Sequence, residues 1–295
     1  MHVHYKDVSP GLMTLTLILV NNAGALHCIL FYLCQVPDSA SKWKAVESVF
    51  SSRWQLPHCI GAIDGKHIRI MKPFHSGSQF FNYKGFFSIV LMAVVDADYQ
   101  FLYVDVGAEG RMSDGGVFAH CSLFTALEDR LLNIPDAEPL SNTCHMAVPY
   151  YLAGDEAFPL KPFLMKPYSR RALTVEEQTC NYRFSRGRMV VEHAFGMLAS
   201  VFRILHTPIH LQPQKAELIV LAVCVLHNFL RQRCKNAYLP PVAGSIGPTV
   251  EGLVPLEFTQ HRNATNAAKE VRDVLKQYFM TEGQLSWQQE RLLQF

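Results

Sequence analysis

Three acidic residues, Asp64, Asp155 and Glu192, have side chains and surroundings that could support metal chemistry. Asp64 closes the apolar run C-I-G-A-I and Asp155 closes V-P-Y-Y-L-A-G, so each carboxylate leaves the end of a buried strand. Glu192 lies at the margin of an apolar helical stripe. Three neighbouring carboxylates repel one another unless a hard cation such as Mg²⁺ or Mn²⁺ neutralises them. Two such ions about 3.5–4 Å apart would activate a water or a 3′-hydroxyl at a phosphodiester.

The dipeptide Asp64-Gly65 leaves a second interpretation of the first acid open. Asp-Gly is typical of a tight hairpin turn, and the alternation after it, with polar His67 and Arg69, predicts a second strand. On this interpretation Asp64 is only the first residue of a turn. His67 points away from Asp64 by strand alternation, so we interpret it as structural.

The order of elements predicts how the three acids could meet. Three antiparallel strands are followed by a helix, a strand, a short strand and a helix, which is the order of the ribonuclease-H-like fold. In such a sheet the ends of strands one and four lie side by side. We predict an α/β class, ribonuclease-H-like mixed five-stranded sheet flanked by helices, with additional N- and C-terminal helices. The predicted helices cover 39–53, 113–132, 189–205, 213–230 and 265–279, and a capping box at Thr174-Val-Glu-Glu177 predicts the start of a further helix. The predicted strands after the Asp64 region cover 88–95, 101–107, 148–155 and 163–165.

Composition favours a folded protein with an uneven charge distribution. The chain has 295 residues, of which 49% are hydrophobic and 18% charged, so it can bury a core and is not globally disordered. Residues 101–160 hold nine acids against two arginines, whereas residues 161–235 hold twelve Lys or Arg against four acids. An acidic segment followed by a basic one suits a protein that binds a cation and a polyanion, although balanced solvated faces are the alternative.

Cysteine usage and the N-terminal segment bear on the compartment. The eight cysteines form no C-x-x-C motif, and several lie in apolar runs, which predicts reduced, buried residues of an intracellular protein. Residues 12–36 are largely apolar and long enough to cross a bilayer, but Asn21, Asn22, Gly24 and His27 interrupt them. We therefore predict a buried N-terminal helix, with a membrane anchor as the less favoured alternative.

Six motifs in order resemble one known family. The chain from about Lys42 onwards is similar to the PIF/Harbinger transposase-derived nucleases of the DDE transposase superfamily. This resemblance implies that Asp64, Asp155 and Glu192 are the catalytic and metal-binding D, D and E. It also implies a nuclear protein, with the cytoplasm as a further location, and a Myb/SANT-type partner that brings the nuclease to DNA. The motifs are I-G-A-I-D-G-K-H-I, G-S-Q-F-F-N-Y-K-G-F-F-S-I-V-L-M-A-V-V-D-A, V-G-A-E-G-R-M-S-D-G-G-V-F, A-G-D-E-A-F-P-L-K, N-Y-R-F-S-R-G-R-M-V-V-E-H-A-F-G and V-L-H-N-F-L.

The domain and function predictions follow from these observations. We expect a poorly defined apolar or helical remnant at 1–41, a DDE ribonuclease-H-like nuclease domain at 42–235, a Pro/Gly-rich linker at 236–257 and a helical extension at 258–295. The expected function is a metal-dependent DNA endonuclease, and oligomer formation is left open. The alternative is a domesticated, non-cleaving DNA- or protein-binding module. Complete D-D-E acids argue against that alternative, whereas the apolar first forty residues, which lack a helix-turn-helix pattern, argue for it.

Several further residues could support the site or contact DNA. Arg183, Arg186 and Arg188 precede Glu192 closely, so we predict that they contact phosphates, although a solvated face is the alternative. Lys84 and Lys66 are the next candidates for the DNA path. Asp114 falls within a family motif and could support the site, but capping of a helix is the favoured role for it.

Overall fold

The structure is a computed structural model that describes residues 36–141, 146–169, 172–234, 238, 253–255, 264–288 and 290, apart from the side chain of Asp114. The predicted remnant at 1–41 lies almost wholly outside these residues, and so does most of the predicted linker at 236–257. The described part holds a mixed sheet with helices against both of its faces.

Six strands form the main sheet and two form a small separate one. The strands are β1 (Cys59–Arg69), β2 (Ser88–Val95), β3 (Phe101–Glu109), β4 (Glu138–Pro139), β5 (Ala147–Val148), β6 (Tyr151–Ala153), β7 (Leu164–Met165) and β8 (Leu253–Pro255). The main sheet has the order β3-β2-β1-β6-β7, and β8 also pairs with β1. The first three strands are antiparallel, whereas β6 and β7 continue the sheet in parallel with β1. The predicted mixed α/β fold is thus confirmed, and the additional strand β8 comes from the range predicted as a linker.

β1 is one continuous strand of 11 residues, so the turn predicted at Asp64-Gly65 is wrong. Asp64 pairs with Ala93 of β2 and Gly65 pairs with Met92, which keeps both residues in the ladder. Asp-Gly favours a turn only locally, and the apolar strand β2 offers pairing across both positions. The side chain of Asp64 therefore takes the direction that strand alternation gives it.

Six α-helices occur among the described residues. They are α1 (Ala40–Trp54), α2 (Asp114–His120), α3 (Ser122–Glu128), α4 (Val175–Val201), α5 (Pro213–Arg233) and α6 (Asn266–Met280). α1, α5 and α6 match the helices predicted over 39–53, 213–230 and 265–279 to within a few residues. The single helix predicted over 113–132 is divided at Cys121, whose extended backbone ends α2 and precedes α3.

α4 joins into one helix the start predicted at Thr174 and the helix predicted from Met189. The predicted capping box is present: Thr174 accepts a hydrogen bond from the backbone of Glu177, and the Glu177 side chain returns one from the backbone of Thr174. From this cap the helix runs unbroken for 27 residues. Glu192 therefore lies in the second half of a long helix rather than on the first turn of a shorter one.

Side chains of the sheet alternate between two apolar layers. In β2, Leu91 and Ala93 face the layer that contains α4 and α5, whereas Val90 and Met92 face the layer of α2 and α3. β2 is buried at all of its positions, as its continuous apolar sequence predicts. The sheet is thus covered on both sides. A side chain on β1 faces α4 when its residue pairs directly with Leu91 or Ala93 of β2.

α5 is the one helix of the described residues that is long and apolar enough to cross a membrane. Most of its apolar window is buried inside the fold, where Val220, Val223 and Cys224 pack in the layer with α4. This is the usual environment of a central core helix. The apolar segment at 12–36, on which the membrane-anchor alternative depends, lies outside the described residues except for Val36.

Candidate active site

Asp64 and Asp155 are brought to the same level of the sheet by the pairing of β1 with β6. These two strands are parallel, and Ala62 pairs with Ala153. Asp64 and Asp155 each lie two residues beyond this last pair, and the charge of Asp64 acts on Asp155, so the two acids are neighbours at the end of the β1–β6 ladder. Ala62 and Ala153 belong to the apolar layer that includes α4, which places the two acids on the α4 side.

Asp64 lies on β1 between the residues that pair with β6 and those that pair with β8. β6 pairs with β1 as far as Ala62, and β8 pairs with β1 from Lys66 onwards. Asp64 falls in the interval. Its side chain is nevertheless buried, because α4 covers the face towards which it points. Asp64 is thus a buried acid at a point of β1 where neither β6 nor β8 pairs with it.

The electrostatics of Asp155 show that the two aspartates influence each other. Burial, and next the negative charge of Asp64, raise the pKa of the Asp155 carboxyl above its ordinary value, while Arg188 and Lys66 act in the opposite direction. The Oδ1 atom of Asp155 also accepts a hydrogen bond of 2.9 Å from the backbone of Ala157, which fixes the side chain at the end of β6. A cation between the two carboxylates would relieve their repulsion.

Lys66 is the charged partner of Asp64. Its Nζ lies 2.7 Å from Asp64 Oδ2, and both side chains are largely buried. The contact is one of charge, since no described residue makes an aligned hydrogen bond to that oxygen. Nζ also lies 5.6 Å from the ring centre of Phe195 on α4. Lys66, predicted as a DNA contact, is therefore an ion partner inside the site, as strand alternation with Asp64 could have indicated.

Glu192 is connected to the two aspartates through an arginine. Arg188, one helical turn earlier on α4, donates a hydrogen bond of 2.8 Å to Glu192 Oε1, and its charge also acts on Asp155. The Glu192 side chain is 45% exposed, so it lies at the margin of the site. The i,i+4 spacing of the two residues could have predicted this ion pair from the sequence.

The described residues bring two of the three predicted acids together directly. Among them, no group of three or more His, Cys, Asp or Glu is close enough to hold a metal. Asp64 and Asp155 nevertheless fit a divalent ion, because they offer oxygen ligands and because Asp64 Oδ2 is buried without a hydrogen bond. Glu192 could add a third oxygen only after leaving Arg188.

Arg183 does not occupy a position from which it could contact DNA. It is buried, and its guanidinium donates to the carbonyl of Gln55, to that of Gly283 and to the side chain of Gln288. It also lies 4.4 Å from the ring centre of Phe279. Burial lowers its pKa to about 10. The prediction of a phosphate contact for Arg183 is corrected: it joins α4 to the end of α1 and to the C-terminal residues.

The three arginines also fail to share one face of α4. Positions 183 and 188 are five residues apart, which separates them by about 140° around a helix. Arg186 donates a hydrogen bond of 2.6 Å to Gln55 Oε1 and stacks on Trp287, at 4.6 Å from the ring centre. Arg188 is the member of the group that lies beside the acids.

The remaining residues singled out in the sequence have contacts of their own. Lys84 is exposed on the loop between β1 and β2, 5.4 Å from the ring centre of Tyr83. Asp114 begins α2, and its side chain lies outside the described residues. The cap of that helix is Ser113, which accepts from the backbone of Gly116. His67 is buried and lies 3.0 Å from Ser88 Oγ.

Comparisons with known proteins find several with similar sequences. A family model described as DDE superfamily endonuclease matches residues 63–228, a range that contains all three acids. "Protein ALP1-like" of Arabidopsis thaliana is 30% identical over 194 residues, which cover 64% of this chain and 47% of that protein. "Putative nuclease HARBI1" of Bos taurus is 27% identical over 217 residues, which cover 71% of this chain and 56% of that protein.

The similarity to these relatives covers only part of their length. The chain spans about half the length of the curated relatives it matches. No solved structure matches it. The predicted resemblance to transposase-derived nucleases of the Harbinger type is confirmed by the family match and by the relatives. Because the family model covers more than half of the sequence, this chain belongs to the DDE superfamily endonucleases.

Proposed function

We propose that this protein is a metal-dependent DNA endonuclease that uses Asp64, Asp155 and Glu192. The observation that carries the proposal is the parallel register of β1 and β6, which sets Asp64 and Asp155 side by side with a raised Asp155 pKa. The match to DDE endonucleases and the name of the HARBI1 relative support DNA cleavage as the reaction. Mg²⁺ or Mn²⁺, when bound, supplies a Lewis acid that activates the attacking oxygen and stabilises the leaving one.

The protein's own residues have separate tasks in this proposal. Asp64 and Asp155 offer the oxygen ligands on the side of the sheet that α4 covers. Glu192 joins them by turning away from Arg188, and breaking such a half-exposed ion pair costs only about 0–1 kcal/mol. Arg188, released from Glu192, then contacts a phosphate of the DNA beside the acids.

The test is cleavage of supercoiled plasmid DNA with Mg²⁺ or Mn²⁺. Asp64→Asn, Asp155→Asn and Glu192→Gln should each reduce the cleavage rate by more than about 100-fold. Substitutions of residues that only support metal ligands typically reduce activity by about 10–100-fold. Glu128→Gln is the matched control, since Glu128 is a surface acid paired with Lys161. Circular dichroism establishes that each variant is folded. Cleavage by all three variants at the rate of the parent would disprove the assignment.

A non-cleaving binding module is the second candidate, and one observation favours it. Lys66 and Arg188 already pair with Asp64 and Glu192, so two of the three acids are neutralised by the chain itself. Titration calorimetry with Mn²⁺ separates the two candidates. Binding that disappears in Asp64→Asn and Asp155→Asn supports the nuclease, whereas a parent that binds no Mn²⁺ supports the binding module.

The location and the partner remain proposals that rest on the family resemblance. A nuclease acting on DNA belongs in the nucleus, and a Myb/SANT-type protein would bring it to its DNA target. Cell fractionation tests the location, and a chain found only outside the nucleus would contradict it. Co-purification with and without nuclease treatment tests a protein partner separately from bridging by DNA.

A further inference from the structure

The loop between β1 and β2 exposes an unusual number of aromatic rings. We call residues 71–87 the aromatic loop; it holds six aromatic residues and two lysines in 17 positions, and no acid. In the described part of the chain four aromatic side chains are exposed, and three belong to this loop: Phe74 (75%), Phe81 (43%) and Tyr83 (49%), the fourth being Phe229 (42%). Clustered exposed rings of this kind usually mark a binding surface.

The tip of the aromatic loop is held in one conformation by Asn82. The Asn82 side chain is buried; its Oδ1 accepts from the backbones of Lys84 (3.0 Å) and Phe86 (3.3 Å), and its Nδ2 donates to Ser88 (2.9 Å). The backbone of Asn82 also donates to the carbonyl of Phe86. The flanking rings are therefore presented by a preorganised hairpin, which reduces the entropy lost on binding.

Lysines stand beside the rings of the aromatic loop. Lys84 Nζ lies 5.4 Å from the ring centre of Tyr83, and Lys72 Nζ lies 5.8 Å from that of Phe87. Phe87 in turn packs edge-on against Phe81, at 5.1 Å between ring centres. Rings interleaved with positive charges are the arrangement that binds a nucleic acid strand, because bases stack on the rings and phosphates pair with the cations.

The aromatic loop reaches the sheet edge next to the acid pair. Tyr83 donates from its hydroxyl to the carbonyl of Pro255 on β8, at 3.3 Å. Pro255 pairs with Lys66 of β1, and Lys66 contacts Asp64. From Gly65 to Val95 the sequence has four Lys or Arg and no acid. A polyanion leaving the acid pair around this edge would therefore meet Tyr83 and the two lysines of the aromatic loop.

We propose that the aromatic loop binds an unpaired DNA strand beside the cleavage site, with Phe81 and Tyr83 stacking on bases and Lys72 and Lys84 contacting phosphates. This inference rests on the proposed function, because it takes DNA as the substrate. An unpaired strand fits better than a duplex, since a ring can stack only on a base face that its neighbours leave uncovered. The absence of acids and the two lysines favour a polyanion over a protein partner.

The test compares binding of fluorescein-labelled oligo-dT and of a labelled duplex of equal length, by anisotropy in EDTA so that no DNA is cut. Phe81→Ala with Tyr83→Ala should weaken oligo-dT binding about 30-fold or more, and duplex binding about three-fold or less. Tyr83→Phe keeps the ring and should bind like the parent. Phe229→Ala is the matched control, since it removes an equally exposed ring that lies near Arg233 on α5.

Two further measurements keep the inference falsifiable. Lys72→Gln with Lys84→Gln should weaken both DNA forms and flatten the salt dependence of log affinity by about one to two units. If the double alanine variant melts at a lower temperature than the parent, the same binding measurements on the single variant Tyr83→Ala test the inference. Parental affinity in the alanine variants, or an equal loss for both DNA forms, overturns the inference. Neither result depends on cleavage, so the plasmid assay of the Asp64 variant tests the proposed function separately.

Discussion

At the scale of single residues, the most informative contact is the buried pair of Lys66 and Asp64. The ammonium group lies 2.7 Å from an oxygen that also suits a divalent ion. Lys66 thus keeps the Asp64 charge compensated when no metal is bound. The same position makes it a competitor of the metal, because both cations interact with Asp64 Oδ2.

Replacing Lys66 by Met should therefore have two opposite effects. Without metal, the variant should lose about 3–5 kcal/mol of unfolding free energy, because Asp64 is left buried without its partner. Its affinity for Mn²⁺ should rise, since one positive charge has left the site. Urea denaturation in EDTA measures the first effect and calorimetry measures the second.

Lys161→Met is the control for this prediction. Lys161 has similar contacts on the surface, at 2.7 Å from Glu128 and 5.5 Å from the ring centre of Phe124. Its loss should cost about 1 kcal/mol or less and leave Mn²⁺ affinity unchanged. Equal behaviour of the two methionine variants would show that the Lys66 pair is only structural.

His227, buried on α5, makes the stability of the protein depend on pH. Its Nε2 lies 2.7 Å from the carbonyl of Tyr99, so it carries the hydrogen, and its Nδ1 accepts from the Tyr238 hydroxyl at 2.6 Å. Burial lowers its pKa from 6.5 to about 4. Between these values the unfolded chain binds a proton that the folded chain does not, so the unfolding free energy falls as the pH falls.

His227→Gln keeps a donor and an acceptor but does not titrate. As the pH is lowered from 6.5 towards 4, the unfolding free energy of the parent should fall more steeply than that of the variant. The difference between the two slopes should be up to about 1.4 kcal/mol per pH unit. Burial raises the pKa of Asp96 to about 6, so Asp96 makes the unfolding free energy rise as the pH falls. This effect is the same in the parent and in the variant, so it does not alter the difference between their slopes. Urea denaturation curves at several pH values measure the slopes, and parallel slopes would contradict the assignment.

At the scale of elements, α4 depends on close packing at one glycine. A Cβ atom on Gly187 would lie 2.5 Å from Cδ2 of Leu56, which is fully buried. α4 therefore approaches the residues before β1 at this point, and that approach contributes to holding Arg188 beside the acids. At Gly196, on the same helix, such a Cβ would meet no atom within 4 Å beyond its chain neighbours and the adjacent backbone of the helix.

These two glycines give a matched pair of substitutions. Gly196→Ala should stabilise the protein by up to about 1 kcal/mol, because alanine is the better helix former. Gly187→Ala should instead destabilise it by about 1–3 kcal/mol, since overpacking of Leu56 outweighs the gain in propensity. Thermal and urea denaturation measure both changes. Stabilisation by both substitutions would show that Leu56 gives way without cost.

At the scale of the whole molecule, the basic charge of the second half is divided between structure and surface. Arg183 lies inside and joins distant elements, whereas Arg188 lies beside the acids. Arg188→Gln should therefore weaken DNA binding and flatten the salt slope by about 0.9 units, the effect of one phosphate contact. Anisotropy titrations over a range of salt concentrations measure the slope.

Arg183→Met is the companion variant. It should leave the salt slope unchanged and reduce the unfolding free energy by about 3 kcal/mol or more, because three acceptors lose their buried donor. A flatter slope in a folded Arg183→Met protein would mean that DNA reaches this arginine. An unchanged slope in Arg188→Gln would direct the search for the DNA path to the aromatic loop.

The sequence predicts much of the fold because its signals are strong and local. The continuous apolar run of β2, the capping box at Thr174 and the apolar α5 each specify their element without tertiary information. The Asp64-Gly65 turn fails because local turn preference is weaker than pairing along a long neighbouring strand. Helix periodicity alone likewise could not show whether Arg183 faces water or the core.

By itself, the sequence determined the family and the class of fold, because these depend on residue types in a fixed order along the chain, and it proposed three acids as the site. Only the tertiary structure decided which acids meet. The register of β1 and β6 sets Asp64 beside Asp155, while the helical position of Glu192 directs it first to Arg188. Register and ion pairing depend on contacts between residues far apart in sequence, and a pattern read along one chain does not contain them.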